Sequence, residues 1–129
     1  MTDTLGLPGA AQPAFQPPGS ATTDDFRRID MRVGRIVSVE PFPAARVPAY
    51  RLEIDFGSGG RRRSSAQLPP TYPDPAALVG RLVVCVVNFA PRNVAGFPSE
   101  VLVLGALPAS GTIPLLAVDA GASPGDPIG

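Results

Sequence analysis

Lysine, histidine and tryptophan are absent from this chain of 129 residues, and each absence removes a class of chemistry. All eleven basic residues are arginine, so there is no P-loop lysine and no lysine to form a Schiff base. Without histidine there is no imidazole to act as a general base or to ligate a metal. The lone cysteine, Cys85, cannot make an intrachain disulfide. It lies in the run Leu82–Val87, where it reads as a small buried hydrophobe with no histidine to activate it. No apolar stretch approaches the ~20 residues of a membrane span. The opening Met-Thr-Asp-Thr-Leu has no basic segment of the kind that begins a signal peptide. These exclusions predict a non-catalytic cytoplasmic protein that needs no cofactor and no metal.

What remains is aliphatic. Apolar residues make up 44% of the chain and aromatics only 6%, enough for one core built from Val, Leu, Ile and Ala. The mean hydropathy of +0.16 is high for a small soluble protein and predicts that a partner, most simply a second copy, covers some apolar surface. Net charge is zero but unevenly spread: residues 27–63 hold nine arginines against Asp30, Glu40, Glu53 and Asp55, and the two flanks are acidic. A local basic field of this kind steers polyanions even on a neutral body, unless the fold brings the acidic residues back against it.

Proline and glycine punctuate residues 1 to about 20, which carry Pro8, Pro13, Pro17 and Pro18 with Leu5, Leu7 and Phe15 as their only large apolar groups. Such a segment buries too little to offset its ordering entropy and reads as a flexible tail, leaving residues 21–129 as the folded domain. Thr22-Thr23-Asp24-Asp25 has the capping and acidic residues of a short helix start, with Phe26 and Ile29 spaced to seat the helix on the body. Met31–Val39 is the first strand, interrupted by Gly34, which implies a bulge or a close backbone approach. Tyr50–Phe56 alternates cleanly, with Tyr50, Leu52, Ile54 and Phe56 on one face and Arg51, Glu53 and Asp55 on the other. Gly57–Gly60 turns it into Arg61–Gln67.

A proline-rich break and one helical turn at Ala76–Val79 follow, closed by Gly80. Arg81–Val87 and Val101–Leu104 are apolar runs expected to be covered on both sides, separated by a long polar-aromatic loop, Asn88–Glu100. Five strands with a helical turn between the third and fourth give an all-β chain. The order is that of a five-stranded OB-fold barrel with short helices, an N-terminal helix and a C-terminal extension, a fold whose second and third strands bind oligonucleotides. On that third strand stand Arg61, Arg62 and Arg63, running into Ser64, Ser65 and Gln67. Guanidinium groups followed by small hydrogen-bonding side chains suit phosphate positioning with polar contact to bases, not bond breaking. The same three arginines would also serve an edge strand that has to resist aggregation.

Many segments in order carry a family resemblance: Asp30–Ile36, Pro41–Ala44, Pro48–Tyr50, Ile54–Gly57, Ser64–Gln67, Leu78–Arg81, Val86–Phe89 and Ser99–Gly105. From about residue 23 to 129 the chain resembles the CsaA family, a branch of the tRNA-binding domains also appended to bacterial methionyl- and phenylalanyl-tRNA synthetases. The resemblance implies a cytoplasmic homodimer of OB folds that binds tRNA or other structured RNA. It equally implies a chaperone of unfolded or export-destined polypeptides. Its best-matched polar positions are Ser64, Ser65 and Gln67, then Asn88, Arg92 and Ser99. Arg32 and Arg35 on the first strand and the arginine triplet complete the expected RNA-binding set. The family commonly has lysine ahead of the serine pair, so Arg61–Arg63 keep the charge but offer a planar, forked contact. The chaperone alternative rests on an apolar groove lined by Phe42, Phe89 and Phe97. Glu100 reads as a partner for an arginine or a backbone amide rather than an RNA contact.

Overall fold

The computed structural model describes residues 12–129. Most of the expected tail, residues 1–11, lies outside the described residues; Gln12 to Ser20 are exposed and form no helix or strand. Helix α1 (Thr23–Arg27) is closed at its start by a reciprocal capping box: the Thr22 side chain accepts from the Asp25 amide, and the Asp25 carboxylate accepts from the Thr22 amide. The expectation that Phe26 and Ile29 seat this helix on the barrel is not met. No residue of the helix is buried, and Phe26 remains 48% exposed. Five residues give too little of an apolar stripe to dock.

The strands are β1 (Met31–Pro41), β2 (Tyr50–Asp55), β3 (Arg61–Ala66), β4 (Leu82–Val86), β5 (Arg92–Val94), β6 (Phe97–Ser99) and β7 (Leu102–Val103). One five-stranded antiparallel sheet has the order β3-β2-β1-β4-β7. Strand β1 spans it by pairing with β4 through residues 31–35 and with β2 through residues 35–41, with a bulge between Ile36 and Ser38 that lets it turn from one to the other. The sheet then curls until it nearly closes: Glu100 donates its amide to the Arg63 carbonyl at 2.8 Å, linking β3 to the segment before β7. This is the all-β, OB-like barrel that the strand order predicts.

The core matches the alternation read from the sequence. Tyr50, Leu52, Ile54 and Phe56 point inward beside Ile36, Leu68, Leu78, Val83 and Val101. Cys85 is fully buried, and loss of solvation pushes its thiol pKa up to about 12, so it stays protonated and unreactive at neutral pH. Gly34 is a point of close approach, but to core side chains and not to another backbone: a Cβ there would sit 2.5 Å from Ile54 Cγ2 and 2.8 Å from Phe56 Cε1. The bulge lies three residues further on.

Two expectations are corrected. The long loop Asn88–Glu100 contains a hairpin, β5–β6, turned at Ala95 and Gly96, both with positive φ, and held by the Asn93 side chain accepting from the Gly96 amide at 2.7 Å. The expected fifth strand shrinks to Leu102–Val103 and is not covered on both sides, since Leu102 is 47% exposed. The C-terminal residues also have a place on the single barrel. Val33 donates to the Asp126 carbonyl, Gly125 to the Val33 carbonyl and Ile128 to the Met31 carbonyl, at 2.7–3.0 Å, along the edge of β1 that β2 leaves open. That edge consumes backbone groups which would otherwise stand unpaired.

Candidate nucleic-acid interface

The outer face of the β1-β2-β3 sheet follows from the register. Residues directly opposite one another form three rows: Glu40–Arg51–Ser65, Ser38–Glu53–Arg63 and Arg35–Asp55–Arg61. Along β2 the outward charges run Arg51, Glu53, Asp55, and each stands opposite a residue of the other sign on β1 or β3. Arg51 pairs with Glu40 at 3.3 Å, Arg61 with Glu53 at 3.1 Å and Arg63 with Glu100 at 3.6 Å. Glu100 also accepts from the Arg63 amide at 2.9 Å, taking both of the roles expected of it. Arg35, Arg51, Arg61 and Arg63 therefore stand against Glu40, Glu53, Asp55 and Glu100. The basic excess counted along residues 27–63 is cancelled on this face.

The arginine triplet divides as strand alternation requires. Arg61 and Arg63 are exposed on the outer face, each with a carboxylate partner. Arg62 opposes Ile54 and leaves at the barrel end, where it lines a cleft with Arg32, Ser58, Gly59 and Gly125. Among the described residues Arg62 has no ion-pair partner, whereas Arg32 is held by Asp30 at 2.7 Å and by the Gly125 carbonyl. Arg35 donates to the Gly80 carbonyl and has no carboxylate of the described residues within salt-bridge distance, and Arg92 is exposed at the start of β5.

The polar candidates sort into free and committed groups. Gln67 is exposed at the end of β3, and Ser65 is half-buried on the outer face. Ser64 is fully buried, and its hydroxyl donates to the Val101 carbonyl at 2.9 Å, fastening β3 to the approach of β7. Ser99 is buried with its hydroxyl accepting from the Ser65 amide. Asn88 spends both ends of its side-chain amide on backbone, accepting from Asp30 and donating to the Arg28 carbonyl, each at 2.9 Å. That holds the chain entering β1 against the exit of β4.

The three phenylalanines do not form one groove. Phe42 and Phe97 meet edge to face, with ring centroids 5.5 Å apart, in a cleft between the β1–β2 loop and the β5–β6 hairpin. Phe89 lies elsewhere, half-exposed beside Arg28, Ile29 and Asn88. Arg51 was not a candidate by sequence, yet its guanidinium lies over the Phe42 ring at 5.4 Å, and Arg63 lies over Phe97 at 5.7 Å. A signal for this existed: the tight Gly57–Gly60 turn sets the β2–β3 register, and with it which charges face each other. No group of three or more metal-ligating side chains occurs among the described residues.

Residues 31–127, the whole barrel, match the family profile described as "Putative tRNA binding domain". The methionine–tRNA ligase of Neisseria meningitidis serogroup A is 44% identical over 110 residues, which is 84% of this chain and 16% of the ligase. The chain thus spans about a sixth of the length of the ligases that it matches. Among solved structures, chaperone CsaA of Bacillus anthracis strain Ames is 47% identical with a TM-score of 0.81, covering 86% of this chain and 100% of that one. The CsaA chaperone protein of Picrophilus torridus is 44% identical with a TM-score of 0.77, covering 84% and 99%.

Proposed function

Since the chain belongs to the family of CsaA-type tRNA-binding domains, we propose that it is a non-catalytic tRNA-binding protein of the cytoplasm, acting as a homodimer through residues 21–129. The observation that carries this reading is the span of the family match, which takes in every strand of the barrel. Arg35, Arg62 and Arg92, which have no carboxylate partner among the described residues, supply phosphate contacts, and the neutral outer face of β2 and β3 meets unstacked bases. The test is equilibrium binding of deacylated tRNA to the full chain over a salt series. Affinity is expected to fall linearly on logarithmic axes as salt rises, with a slope of roughly one per phosphate engaged. Absence of tRNA binding at low salt would refute it.

A second reading has support in the names of the two solved relatives, both chaperones. In it the Phe42–Phe97 cleft takes apolar segments of unfolded chains. Such binding would change little with salt, so the same titration separates the two.

The dimer draws on exposed apolar groups gathered at one end. Phe26 and Ile29 line a depression with Met31 and Ile128, and Phe89 stands next to Ile29. A pair of such surfaces facing each other would bury them symmetrically. Sedimentation at micromolar concentration is expected to give twice the 13.3 kDa chain mass, and Phe26→Asp to shift it toward a single copy. A wild-type protein that sediments only as one copy would remove this part of the proposal.

A further inference from the structure

We propose that the cleft at the barrel end, lined by Arg32, Ser58 and Arg62, takes the phosphate of a small organic phosphate monoester, whether free or at the end of an RNA strand. The site rests on the reading of Arg62 as a phosphate contact and specifies the kind of phosphate. It shares no residue with the Phe42–Phe97 cleft.

Arg62 is the exception among the arginines of the sheet. Six stand on β1, β2 and β3; Arg32, Arg51, Arg61 and Arg63 each hold a carboxylate, and Arg35 donates to the Gly80 carbonyl. Arg62 alone makes neither an ion pair nor a side-chain hydrogen bond among the described residues, although it is half-buried. A guanidinium partly withdrawn from water without an acceptor is uncompensated. Two further donors in the cleft are likewise unused among the described residues. They are the Ser58 hydroxyl and the second terminal nitrogen of Arg32, whose Nε goes to Asp30 and whose first goes to the Gly125 carbonyl.

The walls are preformed. The β2–β3 turn supplies Phe56, Ser58 and Gly59, the start of β1 supplies Asp30 and Arg32, Val87 follows β4, and Gly125 comes from the C-terminal segment. Turn and C-terminal segment meet backbone to backbone: a Cβ on Gly125 would lie 2.6 Å from the Phe56 carbonyl oxygen, and one on Gly57 2.7 Å from that of Pro124. The Gly125 amide is held by the Val33 carbonyl at 2.7 Å. Little ordering is then left to oppose binding. The cleft encloses about 280 Å³. Four oxygens of water size, at ~30 Å³ each, fill less than half of that, so an organic group enters too, beside Val87.

Charge and direction select the monoester. Arg62 and Arg32 face one carboxylate, Asp30, which Arg32 already holds at 2.7 Å, so the cleft carries one net positive charge. A monoester brings a charge of about −1.5 to −2 and three acceptor oxygens for a guanidinium fork and a hydroxyl. A phosphodiester brings a single charge and a chain on both sides. Arg62 leaves β3 on the side opposite Arg61 and Arg63, so a strand laid across the outer face does not bring its internal phosphates there.

The test titrates the full chain with ribose 5-phosphate, a monoester without a base. Saturable binding is expected, with shifts of the Arg62 Nε–H and of the Ser58 and Gly59 amide resonances. Ribose and dimethyl phosphate are expected to bind at least about tenfold more weakly, the scale of a lost charge-assisted hydrogen bond. Arg62→Gln should cost a similar factor, and Arg62→Lys should recover only part of it, because the fork is lost. If Arg62→Gln does not fold, the resonances of the parent decide. A second arm compares a nine-nucleotide RNA carrying a 5′-phosphate with the same RNA carrying a 5′-hydroxyl. Tighter binding of the phosphorylated strand that Arg62→Gln abolishes assigns the site to strand ends; equal binding assigns it to free monoesters, and either result supports the site. Absence of saturable binding by ribose 5-phosphate, or binding that Arg62→Gln leaves unchanged, would overturn it. Shifts spread equally over Arg35, Arg62 and Arg92 would also overturn it, as diffuse counterion attraction. With tRNA still bound, those failures leave the function reading standing; ribose 5-phosphate bound without tRNA would remove that reading and keep the site.

Discussion

Replacing Arg61, Arg62 and Arg63 together with glutamine is expected to weaken tRNA binding by about a hundredfold near 0.1 M salt, and similarly for unrelated tRNAs. The scale follows from counterion release: each phosphate neutralised contributes roughly 0.9 to the salt slope, so each lost contact removes nearly a power of ten at that salt relative to 1 M. The structure divides the loss unequally. Arg62 has no carboxylate partner among the described residues, so Arg62→Gln alone should cost about tenfold and lower the slope by about one. Arg61 and Arg63 are already paired with Glu53 and Glu100. Removing either leaves a carboxylate exposed toward the RNA, and the expected loss is repulsion rather than a broken contact.

Arg61→Gln combined with Glu53→Gln should therefore bind better than Arg61→Gln alone. Binding by the triple variant that matches the parent at moderate salt would mean that the arginines protect an edge strand, and the polypeptide reading would move ahead. Exposed ion pairs of this kind add little to stability, so thermal unfolding of these variants should stay close to the parent.

Gly34→Val is expected to be the most damaging single change in the barrel, costing ~3 kcal/mol or more through overpacking. The first added carbon would meet Ile54 Cγ2 at 2.5 Å and the Phe56 ring at 2.8 Å, and both residues are buried where there is no room to retreat. For a domain of about this size that corresponds to a fall in melting temperature of roughly 12–24 °C. Gly96→Ala provides the contrast. Its φ of +85° strains any other residue, but nothing lies within 4 Å of the added carbon, so only a conformational cost of ~1–2 kcal/mol remains. Equal melting temperatures for Gly34→Val and the parent would show that β1 and β2 can separate without cost at this point, contrary to the packing described. Gly34 thus acts through close approach and Gly96 through backbone angle, two different reasons for the same residue type.

The inner face of β2, the buried character of Cys85, the Thr22 cap and the close approach at Gly34 were all legible in the residues themselves. Each was signalled by a pattern within a few positions, such as alternation, a Thr/Asp cap cluster or a glycine inside a β-prone run, although the side chains that Gly34 meets, Ile54 and Phe56, come from the next strand. The five-strand order was legible for the same reason, because turns and apolar runs punctuate the chain locally. The barrel's family membership was also carried by ordered short motifs.

What the residues could not disclose alone was pairing across distance. Glu100 reaches Arg63 from 37 positions away, and Asn88 ties the residues on either side of Ile29 from about 60 away. The C-terminal segment closes the open edge of β1, although its sequence, Asp126-Pro127-Ile128-Gly129, offers no strand signal. Such contacts depend on how far the sheet curls, and curvature is set by the bulge after Ile36 together with the packing of all five strands. Charge was the quantity most altered by folding. A run that is strongly basic along the chain becomes neutral on the outer sheet face, because cross-strand register sets carboxylates opposite guanidiniums, while Arg62 alone of the triplet is sent to the other side. Sequence determined which groups the site contains; register and closure decided which of them are spent on each other and which remain for a ligand.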